Sequence, residues 1–198
     1  MDAMGLEEVV FVGNSLGGAV GLIMAINHPD KVGRLVLVDA GGYPMKLPTI
    51  LKAARIPTAG FWVNLFYGRW LVKDNLKQVY YDDDKLTPEQ IDAYYDRLRT
   101  RNGLAAMVAL SRAIDFDRFG PYSERAKTLR VPSLIIWGEQ DKWIPLEMGE
   151  RFDRELPNSE LAVIPECGHV PQEERPEVTA ELITDFIRET QPVRSAGM

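Results

Sequence analysis

Cysteine, histidine and long apolar runs are all scarce in this chain, and each scarcity excludes something. Among 198 residues there is one cysteine, Cys167. A single thiol can form neither an internal disulfide nor a cysteine metal cluster. Two histidines, His28 and His169, are too few for the usual zinc donor sets. No stretch approaches the ~20 apolar residues of a membrane-spanning helix. The opening MDAMGLEEVV lacks the basic-then-apolar layout of a secretory signal. Basic residues are in the minority, 23 Lys and Arg against 29 Asp and Glu for a net charge of −6, which argues against nucleic acid as a partner. The expectation is a chain with no metal, no cofactor, no membrane span and no nucleic-acid partner, in a reducing cytoplasmic setting. The densest acidic run, YYDDDK at 80–85, reads as a solvated loop before a helix.

What is present is ordinary for a globular protein, 45% hydrophobic and 26% charged residues, and its order along the chain is informative. Residues 8–12 form an unalternating, β-branched run, the signature of a parallel strand covered on both faces. A glycine turn follows, then a helix from Leu16 to about Asn27, stopped by Pro29. Further buried strands are expected at 34–40, 132–138 and 160–166, with helices over about 146–155 and 176–190. Strand alternating with helix predicts a doubly wound α/β fold with a mostly parallel sheet. Between Gly41 and Leu129 the alternation stops. TPEQIDAYYDRLRT begins with a capping-box pattern, Thr87, Pro88 and Gln90, and GLAAMVALSRAI reads as another helix. FWVNLFYGRWLV at 61–72 is apolar on most sides and is read as the core of a helical insertion, or its contact with the sheet, with a substrate-pocket wall as the alternative.

The candidate chemistry centres on Ser15 in FVGNSLGGAV. Strand, Gly-Asn-Ser-Leu-Gly, helix matches the nucleophile elbow G-x-S-x-G in its required context. In such an elbow a side chain two residues before or after the serine is expected to collide, so Gly13 and Gly17 remove it, and Gly18 lets the helix pack close. The backbone N–H of Leu16 would face a developing oxyanion. The plainer reading is that Ser15 caps the helix. A phosphate loop lacks its lysine. A serine nucleophile needs a base, and His28, roughly 20 Å along the same helix at about 1.5 Å per residue, cannot reach. His169 follows the fourth strand, on the same edge of a parallel sheet. Asp141, after the third strand, is the leading candidate to orient it. Asp39, which ends the second strand, competes but is expected to bond local turn amides. Glu139 and Glu166 read as solvated, and Cys167 as a small buried residue.

The order Ser15, Asp141, His169 resembles the α/β-hydrolase superfamily. GNSLGG is similar to its elbow, LIIWGEQDKWIP to its acid loop, and IPECGHVPQEERPEV to its histidine loop and final helix. The resemblance implies a core at 1–41 and 129–198, a helical cap at 42–128, and serine hydrolysis through an acyl-enzyme. Ser15 would be the nucleophile, His169 the base and Asp141 the orienting acid. The expected substrate is a small, apolar carboxylic ester or related acyl compound. GNS-x-GG also resembles hydrolases that split carbon–carbon bonds in aromatic ring-cleavage products, many of which carry an aromatic residue where this chain has Val170. Family members usually place several strands and a second oxyanion donor before the elbow, whereas 14 residues precede Ser15 here. The chain is therefore expected to be a fragment of a longer hydrolase, or the product of a late start codon. No candidate for the second donor stands in it, and its first strand is an apolar edge open to self-association. An inactive fragment or non-catalytic binding module is the remaining alternative.

Overall fold

A computed structural model describes residues 1–45, 52, 55, 56, 58, 62, 66–100 and 102–190. Four strands, β1 (Val9–Asn14), β2 (Val32–Val38), β3 (Ser133–Gly138) and β4 (Ser159–Ile164), form one sheet in the order β1-β2-β3-β4. Every pairing is parallel. Helix α1 (Leu16–Asn27) connects β1 to β2, and α6 (Leu146–Glu155) connects β3 to β4. Between β2 and β3 lie α2 (Arg69–Val79), α3 (Pro88–Leu98), α4 (Gly103–Ala113) and α5 (Gly120–Ala126). After β4 come the single turn α7 (Pro171–Glu174) and α8 (Pro176–Glu189).

The unalternating apolar sequences of β2 and β3 are explained by their two covered faces. Successive side chains of a strand point to opposite sides. Leu35 and Leu37 of β2, with Ile135 and Trp137 of β3, pack against Leu22 and Ala25 of α1 and Phe152 and Leu156 of α6. Val36, Val38, Leu134 and Ile136 face the other way, toward Phe186 of α8. β1 lies at the sheet edge, where Val12 is 48% exposed, so the expectation of a strand with an open apolar flank holds for the described residues. β2 runs Val32–Val38 rather than 34–40. It stops where Asp39 turns to φ 42°, a left-handed backbone that cannot continue a strand.

The helices between β2 and β3 build a smaller cluster of their own. Val72 and Leu76 of α2, with Tyr80 and Ile91, bury against Val170, the residue after His169. The capping box of α3 forms as its sequence predicts. Thr87 Oγ1 accepts from the Gln90 N–H at 3.2 Å, and Gln90 Oε1 accepts from the Thr87 N–H at 2.9 Å. The reading of 80–85 as solvated requires correction at its start, because Tyr80 is 1% exposed. Asp83 and Asp84 are exposed; the tyrosine before them ends a helix whose apolar face is buried. Of the aromatic run at 61–72, residues 61 and 63–65 lie outside the described residues; the reading of the run as a core is corrected at Trp62, Phe66 and Trp70, which are exposed, while Tyr67 packs against the helical cluster.

Register fixes what this fold can bring together. Asn14 pairs with Val38, Val38 with Ile136, and Gly138 with Ile164. The carboxyl ends of all four strands therefore share one rim, and the residues that follow them, including Ser15, Asp39, Asp141 and His169, begin from that rim.

Candidate active site

Ser15 sits at φ 54°, ψ −120°, a region that a residue with a Cβ enters at a cost of about 1–3 kcal/mol. Its surroundings hold it there. The Ser15 N–H donates to Val38 O at 2.9 Å, and Ser15 O accepts from the Gly41 N–H at 2.9 Å. Ser15 occupies the N-cap position of α1, yet its hydroxyl makes no capping bond, so a plain helix cap does not account for it. The Leu16 N–H opens the first turn, where an α-helix leaves four N–H groups without intrahelical acceptors.

The glycines around the elbow are not equivalent. A Cβ on Gly13 would lie 2.4 Å from the carbonyl carbon and oxygen of Gly17, and one on Gly18 would lie 2.4 Å from the Cβ of Ala40. The expectation for Gly17 is corrected: a Cβ there meets nothing within 4 Å. It is the Gly17 backbone that crowds Gly13, so a side chain is excluded two residues before the serine but not two residues after it, and is excluded again at Gly18.

His169 and Asp141 meet as expected. Nδ1 of His169 lies 2.7 Å from Oδ2 of Asp141, and both side chains are buried. Oδ1 of Asp141 accepts from the N–H groups of Trp143 at 2.7 Å and Ile144 at 3.1 Å. A carboxylate only accepts, so Nδ1 is the donor in this contact, and in a neutral imidazole the lone pair then falls on Nε2. Nε2 is buried without a hydrogen-bond partner; the structure does not close a bond from the Ser15 hydroxyl to it. It does join the two loops one residue away. Asn14 Nδ2 donates to the carbonyl of His169 at 3.0 Å and to that of Val38 at 3.1 Å. The Trp143 ring packs beside the imidazole with centroids 5.5 Å apart.

Asp39 does not bond local turn amides, another correction. Its Oδ1 accepts from the Gly138 N–H of the neighbouring strand at 3.0 Å. Burial, with the charge of Asp141 beside it, holds the Asp39 carboxyl well above the usual carboxylate range. Glu139 and Glu166 are exposed. Cys167 is fully buried, and burial followed by the charge of Glu174 pushes its thiol up to about 12, which removes it as a nucleophile at neutral pH. Asp39, Asp141 and His169 offer three metal-ligating atoms within 4.8 Å of one another. Two of these groups, His169 and Asp141, are already hydrogen-bonded to each other.

Two residues of the histidine-loop motif to which sequence reasoning gave no role hold that loop. Glu174 is 2% exposed and accepts from the N–H groups of Gly168 at 2.7 Å, Asp82 at 2.9 Å and Tyr81 at 3.0 Å. Glu173 accepts from Tyr80 Oη at 2.7 Å and Tyr94 Oη at 2.5 Å. The His169 N–H itself donates to Val79 O at the end of α2 at 2.8 Å. In the sequence these glutamates stand in the charged run QEERPE, where nothing local names their partners.

Comparison with known proteins agrees with this architecture. Residues 1–176 match the family model described as alpha/beta hydrolase fold. The uncharacterized hydrolase YugF of Bacillus subtilis (strain 168) is 34% identical over 193 residues, covering 95% of this chain and 68% of that protein. A 2-hydroxy-6-oxononadienedioate/2-hydroxy-6-oxononatrienedioate hydrolase of Dechloromonas aromatica (strain RCB) is 32% identical over 194 residues, covering 94% of this chain and 64% of that protein. Among solved structures, the meta-cleavage product hydrolase CumD of Pseudomonas fluorescens IP01 matches with a TM-score of 0.79 at 25% identity, over 96% of this chain and 68% of that one. The chain thus spans between 64% and 68% of the length of these relatives. A family match over most of the chain, and a parallel sheet like that of a solved hydrolase, give its kinship: this chain belongs to the alpha/beta hydrolase fold family.

Proposed function

We propose that the chain carries the catalytic rim of a serine hydrolase. Ser15 Oγ attacks a substrate carbonyl carbon while His169 Nε2 takes the hydroxyl proton, and Asp141 holds the imidazole in the tautomer that leaves Nε2 free. The Leu16 N–H receives the developing oxyanion. The carbon–oxygen bond of the ester then breaks, and His169 returns the proton to the departing alcohol. Water, deprotonated by the same nitrogen, opens the acyl-enzyme to the acid and restores Ser15. The observation that carries this reading is the 2.7 Å contact between His169 and Asp141, on the rim where Ser15 stands in a strained turn. The hydrogen bond from Ser15 to His169 is expected to form with substrate bound, since such bonds are often long in free enzymes.

On this reading residues 1–41 and 129–198 are the core and 42–128 the cap, with a small acyl compound as substrate. The setting is cytoplasmic; among the described residues no helix is long and apolar enough to cross a membrane. The open edge of β1 is where self-association would occur.

Two bond types suit this chemistry. A carboxylic ester needs only the steps above. The second reading, a carbon–carbon bond beside a ketone, is favoured by the names of the Dechloromonas relative and of CumD. There the leaving group departs as a stabilised carbanion and takes its proton at carbon. A fluorophosphonate probe should label Ser15, located by peptide mass spectrometry, and Ser15→Ala should abolish the adduct; labelling that survives this substitution refutes the assignment. Turnover of a chromogenic short-chain ester, lost in Ser15→Ala, supports the ester reading. Consumption of a ring-cleavage dienoate without ester turnover supports the other. Failure of labelling and of both turnovers returns the chain to a non-catalytic binding module.

A further inference from the structure

Asp39 lies beside the candidate triad and has no role in the steps above. It is 0% exposed, and while Oδ1 is held by the Gly138 N–H, Oδ2 is buried with no hydrogen-bond donor facing it. A carboxyl oxygen of Asp39, one of Asp141 and a ring nitrogen of His169 fall within 4.8 Å of one another. Two adjacent buried carboxyls cannot both ionise. Which one keeps a proton follows from their donors. Asp141 accepts two backbone N–H bonds and the imidazole Nδ1–H; Asp39 accepts one N–H.

We propose that Asp39 is a neutral carboxylic acid whose proton bridges its Oδ2 to the Asp141 carboxylate, making it a positioning residue for the Asp141–His169 pair. The proton turns the orphaned oxygen from a buried acceptor without a donor into a donor itself, and removes the cost of that unmet group. The bridge fixes the rotation of the Asp141 carboxylate, so that its Oδ2 stays aimed at Nδ1. The backbone agrees: at φ 42° Asp39 leaves the strand in a conformation rare for residues with a Cβ. The titratable groups facing it from other elements are Asp141 and His169 in the loops after β3 and β4, Cys167 in the second of these, and Glu174 on α7. None of these four is a lysine or arginine, and the two carboxyl neighbours Asp141 and Glu174 both oppose its ionisation. The positioning role rests on the function proposed for Asp141; the protonation state does not.

The test compares the wild type with Asp39→Asn and Asp39→Leu. Asparagine copies a protonated carboxyl, with one oxygen for the Gly138 N–H and an N–H for Asp141; leucine copies neither. Infrared difference spectra at pH 7 should show a protonated carboxyl band in the wild type that is missing in Asp39→Asn. The melting-temperature difference, variant minus wild type, should grow as pH rises from about 4. A raised folded-state pKa costs the wild type stability above the unfolded value, and asparagine has no such cost. Fluorophosphonate labelling should be about tenfold faster in Asp39→Asn than in Asp39→Leu. Identical carboxyl bands in wild type and Asp39→Asn, or a melting difference flat with pH, overturn the neutral acid. Equal labelling of the two variants overturns the positioning role. Should the wild type not label at all, the infrared and melting data still decide the protonation state, so failure of the serine reading is told apart from failure of this one. If Asp39→Leu does not fold, the comparison of Asp39→Asn with the wild type suffices.

Discussion

Replacing Glu174 should unseat the histidine loop and the helices above it together. Its carboxylate accepts from the N–H groups of Gly168, Tyr81 and Asp82 at 2.7–3.0 Å. Hydrogen bonds to a charged acceptor contribute about 1.5–3 kcal/mol each, and an orphaned buried N–H costs about 1–3 kcal/mol. The Gly168 bond is buried, whereas those of Tyr81 and Asp82 are only partly so, and water can replace part of the latter two. Glu174→Leu is therefore expected to cost about 4–5 kcal/mol, a large share of a typical domain's stability of about 5–15 kcal/mol. Glu174→Gln keeps one acceptor oxygen but turns an NH2 group toward an N–H, for a loss of about 2–3 kcal/mol. In urea, with a slope of about 2–3 kcal/mol/M, the glutamine variant should unfold about 1 M earlier than the wild type. Hydrogen exchange should accelerate at Gly168, Tyr81 and Asp82 before the strands are affected. The next residue, His169, loses its anchorage with Gly168, so probe labelling of Ser15 should slow even where the protein stays folded. A loss below about 1 kcal/mol in Glu174→Leu would refute the argument, since surface substitutions alone reach about half of that.

Other expectations follow from single contacts. Gly13→Ala must move the Gly17 backbone from a 2.4 Å clash, and should abolish labelling and cost about 3 kcal/mol or more. Gly17→Ala meets open space and should be neutral or stabilising by about 0.5–1 kcal/mol in thermal melts; a loss like that of Gly13→Ala would contradict the geometry. Cys167, with its thiol pushed up to about 12, should react with a maleimide about 10³-fold more slowly in the folded chain than in urea, since an unfolded thiol sits near 8.5. The same raised value makes the folded state lose stability as pH climbs from about 8.5 toward 12, and Cys167→Ala should remove that part of the alkaline slope. Thr87→Ala breaks the capping box of α3 and should cost about 1 kcal/mol by chemical denaturation.

Parts of the fold that depend on local rules were legible in the sequence. The elbow helix spans Leu16–Asn27 because glycine turn and Pro29 mark both ends, and the Thr87–Gln90 box forms because its partners lie within one turn. All four strands were legible as parallel, but only the inner two, β2 and β3, are buried as expected; β1 and β4 stand at the sheet edges and are largely only half-buried. Strand ends were less legible: β2 stops at Val38 through the left-handed backbone at Asp39, two residues short of the expected end. The pairing of His169 with Asp141 could be expected because parallel strands deliver the residues after them to one rim. The same argument made Asp39 a competitor for that place, but its actual partner could not be expected, since its bond is to the Gly138 N–H on another strand.

Sequence by itself determined the alternation of strand and helix, the strained turn at Ser15 and the types of side chain available for chemistry, since each depends on residues only a few positions apart. Tertiary structure alone decided what is buried beside what. Glu174 becomes an anchor, Tyr80 a core residue and Asp39 a neighbour of Asp141 because segments separated by tens of residues pack over one sheet edge. The environment of a carboxyl or hydroxyl is set by those through-space neighbours, and neither composition nor periodicity encodes them.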